Sequence, residues 1–199
     1  MISNVCKIEN GTGDLEAILA ESQKVAQYND LTAKQTMQLR LLCEELDGML
    51  PNIIDDFGGD FWMEFVDGIC RLHVSVKLDE LTVEKRDALI GVAKNKKNAA
   101  ATGIVGKIRS GIESIFLNED ACRLGSIMAG SLQATAGYGE SVDFSCIWSL
   151  EQYRSTVTPE DQAEAWDELE KSVIASLADD VIVGIKGKRA DIIVVKKFA

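Results

Sequence analysis

The chain is short of positive charge, proline, histidine and long apolar runs, and each shortage removes a class of function. Lysine and arginine number 21 against 32 acidic residues, a net charge of −11. Such a surface repels a phosphate backbone, so no nucleic-acid partner is expected. With 2 prolines and no long polar tract, the chain contains no stretch that reads as a disordered linker. No run approaches the roughly 20 apolar residues of a membrane span, so no membrane partner is expected either. Met1-Ile2-Ser3-Asn4 has neither the basic start nor the apolar stretch of a signal peptide. The five cysteines, Cys6, Cys43, Cys70, Cys122 and Cys146, are odd in number and form no C-x-x-C pair. A disulfide framework or a zinc centre is therefore not expected, and thiols among apolar neighbours suit a reducing cytoplasm. His73 is the only histidine. A serine–histidine–aspartate arrangement would need it, and no nucleophile motif accompanies it.

What remains is an ordinary globular composition, 46% hydrophobic and 27% charged over 199 residues. A chain of that length forms one substantial core and buries roughly 70% of its extended surface. No internal repeat or linker divides residues 1–199, which read as a single domain.

The patterning alternates strands and helices. Asn4 to Ile8 reads as a short strand, and Leu15, Ile18, Leu19, Val25 and Ala26 recur at helical spacing. Thr32-Ala33-Lys34-Gln35 fits a capping box, opening a second helix with Leu39, Leu42, Leu46, Met49 and Ile53 on its apolar face. Pro51 is expected to end or kink it. Asp55 to Asp60, with Gly58-Gly59, reads as a turn. Phe61 to Val66 then runs into Asp67-Gly68, a dipeptide suited to the positive φ angles of a two-residue hairpin. The return strand alternates without a miss. Cys70, Leu72, Val74, Val76 and Leu78 face a core, while Arg71, His73, Ser75, Lys77 and Asp79 face water or a partner. His73 is expected to be an ordinary exposed residue of that polar face.

Further helices are expected near Thr82 and from Ile104 to Phe116, with a strand over Val142 to Leu150. Thr158-Pro159 opens a helix carrying Trp166, Leu169, Val173 and Leu177. A last hairpin joins Val181–Ile185 to Ala190–Val195 through Lys186-Gly187-Lys188. The expected fold class is α/β in the α+β sense: a two-layer sandwich of a mixed, largely antiparallel sheet with helices on one face.

Two charged clusters are candidates for chemistry. Glu44, Glu45 and Asp47 on the second helix form either a solvated face or carboxylates that order a metal ion or water beside a phosphate. Lys94, Lys96, Lys97, Lys107 and Arg109 fall within residues 94–109, which contain no acid. Gly103 and Gly106 lie among them and allow backbone N–H groups to approach an anion. The alternative is a solvated basic surface. Gly106-Lys107 is not a Walker loop, because positions 101 and 108 are Ala101 and Ile108.

The run Leu42-Cys43-Glu44-Glu45-Leu46-Asp47-Gly48 precedes a hairpin, a glycine-bearing segment entering a helix, and a final hairpin. This order resembles the histidine-kinase-like ATPase superfamily with its Bergerat fold, especially the anti-sigma-factor serine-kinase branch. The likeness covers residues 32–116, and 181–198 more loosely, leaving 118–178 as an insertion or lid. Glu44 matches the glutamate of the family's Glu-x-x-x-Asn motif, so the resemblance implies a catalytic base there; Gly48 occupies the asparagine position. Gly103-Ile104-Val105-Gly106-Lys107-Ile108 resembles the second glycine box. Gly103, Gly106 and Lys107, with Lys97 nearby, are then the residues implied to hold a nucleotide. The segment Leu78-Asp79-Glu80-Leu81-Thr82-Val83, where the adenine-reading box would follow the hairpin, contains no glycine. The implied ligand is ATP or ADP, with magnesium not expected because Gly48 replaces the metal-holding asparagine. The expected function is a regulatory nucleotide- or protein-binding module without efficient hydrolysis. An active serine kinase or anti-sigma factor and a pure protein-interaction domain are the alternatives. The expected partners are a regulatory protein and, in a homodimer, a second copy of the chain.

Overall fold

A computed structural model describes residues 1–9, 15–54, 57–78, 106, 108, 146–156, 172–186 and 189–198. Among the described residues six strands form one sheet: β1 (Cys6–Glu9), β2 (Phe57–Val66), β3 (Ile69–Leu78), β4 (Cys146–Ser149), β5 (Asp180–Lys186) and β6 (Arg189–Lys197). Their spatial order is β1-β2-β3-β6-β5-β4. Every pairing among them is antiparallel, so no parallel ladder is present among the described strands. The helices whose bounds are described are α1 (Leu15–Tyr28), α2 (Ala33–Ile53), α3 (Leu150–Thr156) and α4 (Val173–Leu177). The result is an α+β sandwich. No helix among the described residues is long and apolar enough to cross a membrane.

The apolar stripes of α1 and α2 meet one face of the sheet. Ile18, Val25, Leu39, Leu42, Leu46 and Leu50 share a single buried core with Phe61, Met63, Leu72, Val74, Ile192 and Val194. Helix α2 begins as its sequence dictates. Thr32 accepts from the Gln35 backbone N–H at 3.4 Å, and Gln35 Oε1 accepts from the Thr32 backbone N–H at 2.9 Å. Pro51 lies inside the last turn, and the helix ends two residues later with the Ile54 N–H still bonded to Leu50 O. The β2–β3 hairpin turns through Asp67 (φ 51) and Gly68 (φ 77), the positive values that a tight two-residue connection requires.

Several expectations are corrected. Gly58, Gly59 and Asp60 are not a turn but part of β2, which begins at Phe57. Gly59 is what admits the pairing: a Cβ there would stand 2.3 Å from the carbonyl oxygen of Ser75. The polar face of β3 is less wet than its alternation implies, since Ser75 is buried and Arg71 and His73 are only partly exposed. Leu150 opens α3 instead of ending a strand. Val173–Leu177 does not continue an upstream helix, because Ser172 adopts extended backbone (φ −92, ψ 118) and caps α4 through the Ala175 N–H. The expected helices near Thr82 and from Thr158, the 118–140 stretch and the Gly187-Lys188 turn lie outside the described residues.

Candidate functional site

Helix α2 carries the candidate site because its apolar stripe fixes its rotation. With Leu39, Leu42, Cys43, Leu46 and Leu50 buried, the intervening positions 40, 44, 45 and 48 fall away from the core. Glu44 keeps 35% of its side chain exposed, and its Oε1 accepts from Arg40 Nε at 2.9 Å, one turn earlier. Glu45 is exposed and Asp47 half-buried. Burial pushes the Asp47 carboxyl above the usual range for aspartate. One turn beyond Glu44, Gly48 is exposed, and nothing lies within 4 Å of where its Cβ would stand. The Glu44–Gly48 turn is thus an open strip with one ion-paired carboxylate and no side chain at its far end.

The glycine–lysine segment is represented only in part. Gly106 and Ile108 are helical and buried, with Ile108 in the main core. Gly103, Lys107 and Lys97 lie outside the described residues, as do Lys94, Lys96 and Arg109. Of the expected site residues, Glu44 and Gly106 are therefore the two that are described. Among the described residues, no three histidine, cysteine, aspartate or glutamate side chains gather as a metal set.

The sheet face away from α1 and α2 holds a second group of polar residues that the sequence reading left unassembled. The register sets Trp62 opposite His73 and Glu64 opposite Arg71. The Trp62 and His73 rings stack at 4.8 Å with 4° between their planes. His73 is not the exposed residue expected: its side chain is only 16% exposed. Among the described residues its Nε2 has no hydrogen-bond partner, lying 3.8 Å from Glu64 Oε2. Burial, and then the neighbouring Arg71 charge, bring its pKa down to about 4, while Asp191 pulls the other way. The ring is neutral at pH 7. Ser75, next in the same row, donates to Asp191 and accepts from Arg189 Nη2 at 2.7 Å. It does not form a nucleophile–base pair with His73. The alternation of β3 signalled that Arg71, His73 and Ser75 share a face. Their partners on β6 lie more than a hundred residues away, with no local signal for the pairing.

The three free cysteines among the described residues, Cys6, Cys43 and Cys70, are buried. Burial raises the Cys43 and Cys70 thiols well above their ordinary pKa, Cys70 to about 12, so they act as apolar filling and not as nucleophiles. No protein-family model, no curated protein and no solved structure matches the chain.

Proposed function

We propose that the chain is a regulatory nucleotide-binding module of degenerate histidine-kinase-like ATPase type, acting in the cytoplasm, that binds ATP or ADP without efficient hydrolysis. The observation that carries this reading is the Glu44–Gly48 turn. A glutamate at the outer side of a long helix, followed one turn later by an exposed, empty position, has the base of the Glu-x-x-x-Asn arrangement without its metal-holding partner. The chain order of a leading strand, two helices, a hairpin and a terminal hairpin agrees with the same reading. Magnesium contributes little in this account, because Gly48 at the i+4 position has no side-chain oxygen and its carbonyl accepts from Asn52 Nδ2 at 3.2 Å. The test is isothermal titration of ATP and ADP, with and without Mg²⁺, into the parent and Glu44→Ala. Binding indifferent to Mg²⁺, with turnover no greater than that of Glu44→Ala, supports the reading.

A second reading, a protein-interaction module without nucleotide, is favoured by a different observation. Met1, Ile2, Val5 and Val66 are exposed apolar residues on or beside the β1–β2 side of the sheet, Ile2 at 68%. A regulatory protein or a second copy of the chain would cover them. Absence of any nucleotide binding, together with concentration-dependent self-association lost in Ile2→Asp, would favour this reading over the first.

A further inference from the structure

The β1 edge of the sheet holds a slip in register. Ile2 bridges to Glu64, whereas β1 pairs Cys6 with Phe61. Residues 3–5 therefore stand opposite only Trp62 and Met63. One extra residue on one strand of an antiparallel pair is a β-bulge, and it takes main-chain groups out of the ladder. Side chains replace the lost bonds here. The Ser3 N–H still donates to Met63 O at 2.9 Å. The Met63 N–H, however, donates to Ser3 Oγ at 2.8 Å, and Ser3 Oγ donates to Asn4 O at 2.9 Å. The Asn4 N–H leaves the ladder and donates to Glu21 Oε2 at 3.1 Å, while Asn4 Nδ2 donates to Glu21 Oε1, also at 3.1 Å.

Glu21 belongs to α1 and lies on its buried stripe with Ile18, Val25 and Ala26. Its side chain is 9% exposed. A carboxylate so placed is destabilising unless its oxygens are bonded. Lys24 pairs with Oε1 from the next turn of the helix, and Asn4 engages both oxygens. The contact ties the sheet edge to the helix layer. On either side of it the chain is held unequally. Cys6 and Ile8 of β1, which follow it, lie in the core. Of residues 1–4, which end at it, only Ser3 is buried, and Ile2 is 68% exposed. Met1 and Phe65 exchange two main-chain bonds, and Asn29 Nδ2 reaches Met1 Sδ at 3.7 Å. Little apolar burial opposes the lifting of this segment, so its hold rests on hydrogen bonds. Segments with few buried apolar contacts are the ones that open locally, below the free energy of global unfolding.

We propose that residues 1–4 form a strap that lifts from the edge of β2 as a unit, with the Glu21 carboxylate as its latch. Lifting bares the main-chain groups of Met63 and Phe65 that the strap covers, turning a capped edge into an open one. It also moves Met1 and Ile2, two of the exposed apolar residues invoked in the protein-interaction reading, so the latch fixes how that surface is presented. The strap stands whether or not that reading does.

Amide hydrogen exchange of the full chain, followed residue by residue by NMR, is the test. The Phe65 N–H bonds Met1 O and the Met63 N–H bonds Ser3 Oγ, so both follow the strap. The Val74 amide, on the interior strand β3, follows global opening. In the parent, Met63 and Phe65 share one level of protection, lower than that of Val74. Glu21→Gln keeps the shape of the side chain but offers one oxygen where the carboxylate offers two. It lowers the protection of Met63 and Phe65 relative to Val74 by about tenfold, the size of one charge-assisted bond. Glu16→Gln, at an exposed acid on the same helix, leaves that ratio unchanged. Because a ratio is read, a general loss of stability in Glu21→Gln does not imitate the result. Protection at Met63 and Phe65 equal to that of Val74 in the parent, an unchanged ratio in Glu21→Gln, or the same shift in Glu16→Gln would overturn the proposal.

Discussion

Gly48 and Gly59 both sit in regular structure, yet a methyl group at each has opposite consequences. Gly48 is helical and exposed, with no atom within 4 Å of the added carbon. Gly48→Ala removes backbone freedom from the unfolded chain and raises stability by about 0.5–1 kcal/mol in urea unfolding. At Gly59 the same carbon would meet Ser75 O at 2.3 Å and Val76 Cα at 2.9 Å. Those are backbone atoms of the neighbouring strand and cannot turn aside. Gly59→Ala should therefore cost about 3 kcal/mol, the upper part of the range for overpacking, while Gly58→Ala, with open space, serves as the tolerated control. His73 provides a pH signature at the same scale. Its folded pKa of about 4 lies below the ordinary 6.5, so the unfolded chain takes up the proton first as pH falls. Stability is unaffected by this group above about pH 6.5 and drops between there and about pH 4, by about 3 kcal/mol in total. His73→Phe keeps a ring against Trp62 and removes the titration, so the difference between parent and variant should be constant above neutrality and change by about 3 kcal/mol through that window. A parent and variant with parallel pH profiles would contradict the buried, neutral imidazole.

The elements divide by how local their signals are. The capping box of α2 is written in four consecutive residues, and both of its reciprocal bonds form. Thr32→Ala should cost about 1 kcal/mol and lower the melting temperature without altering the helix core. The β2–β3 hairpin is equally legible, since alternation and an Asp-Gly turn are local, and Cys70, Leu72, Val74 and Val76 are buried as expected. Legibility fails where a distant strand decides. Asp55 to Asp60 has the composition of a turn, but β1 and β3 recruit Gly58 to Asp60 into β2 on either side. The periodicity carrying Val173 and Leu177 gives no warning that Ser172 interrupts it. The polar face of β3 reads as wet because the sequence does not reveal β6, which brings Asp191 and Arg189 onto Ser75.

At the scale of the molecule, the sandwich follows from patterning, because two amphipathic helices and alternating strands have few other ways to bury their apolar faces. Function follows less directly, since a fold hosts many activities and the deciding features are single positions. Glu44 was visible as a carboxylate on a helix. Its consequence depends on what stands one turn later, and there the chain has an open glycine. The most direct measurement is thermal unfolding of the full chain with ATP, ADP or GTP, each with and without Mg²⁺, run beside Glu44→Ala. A ligand at a hundred times its dissociation constant adds about 2.7 kcal/mol to the native state, which for a chain of this size raises the melting temperature by about 5–10 °C. The account predicts such a rise with ATP or ADP in the parent, no further rise on adding Mg²⁺, and a smaller rise in Glu44→Ala. No shift with any nucleotide, or a shift that requires Mg²⁺, would contradict it.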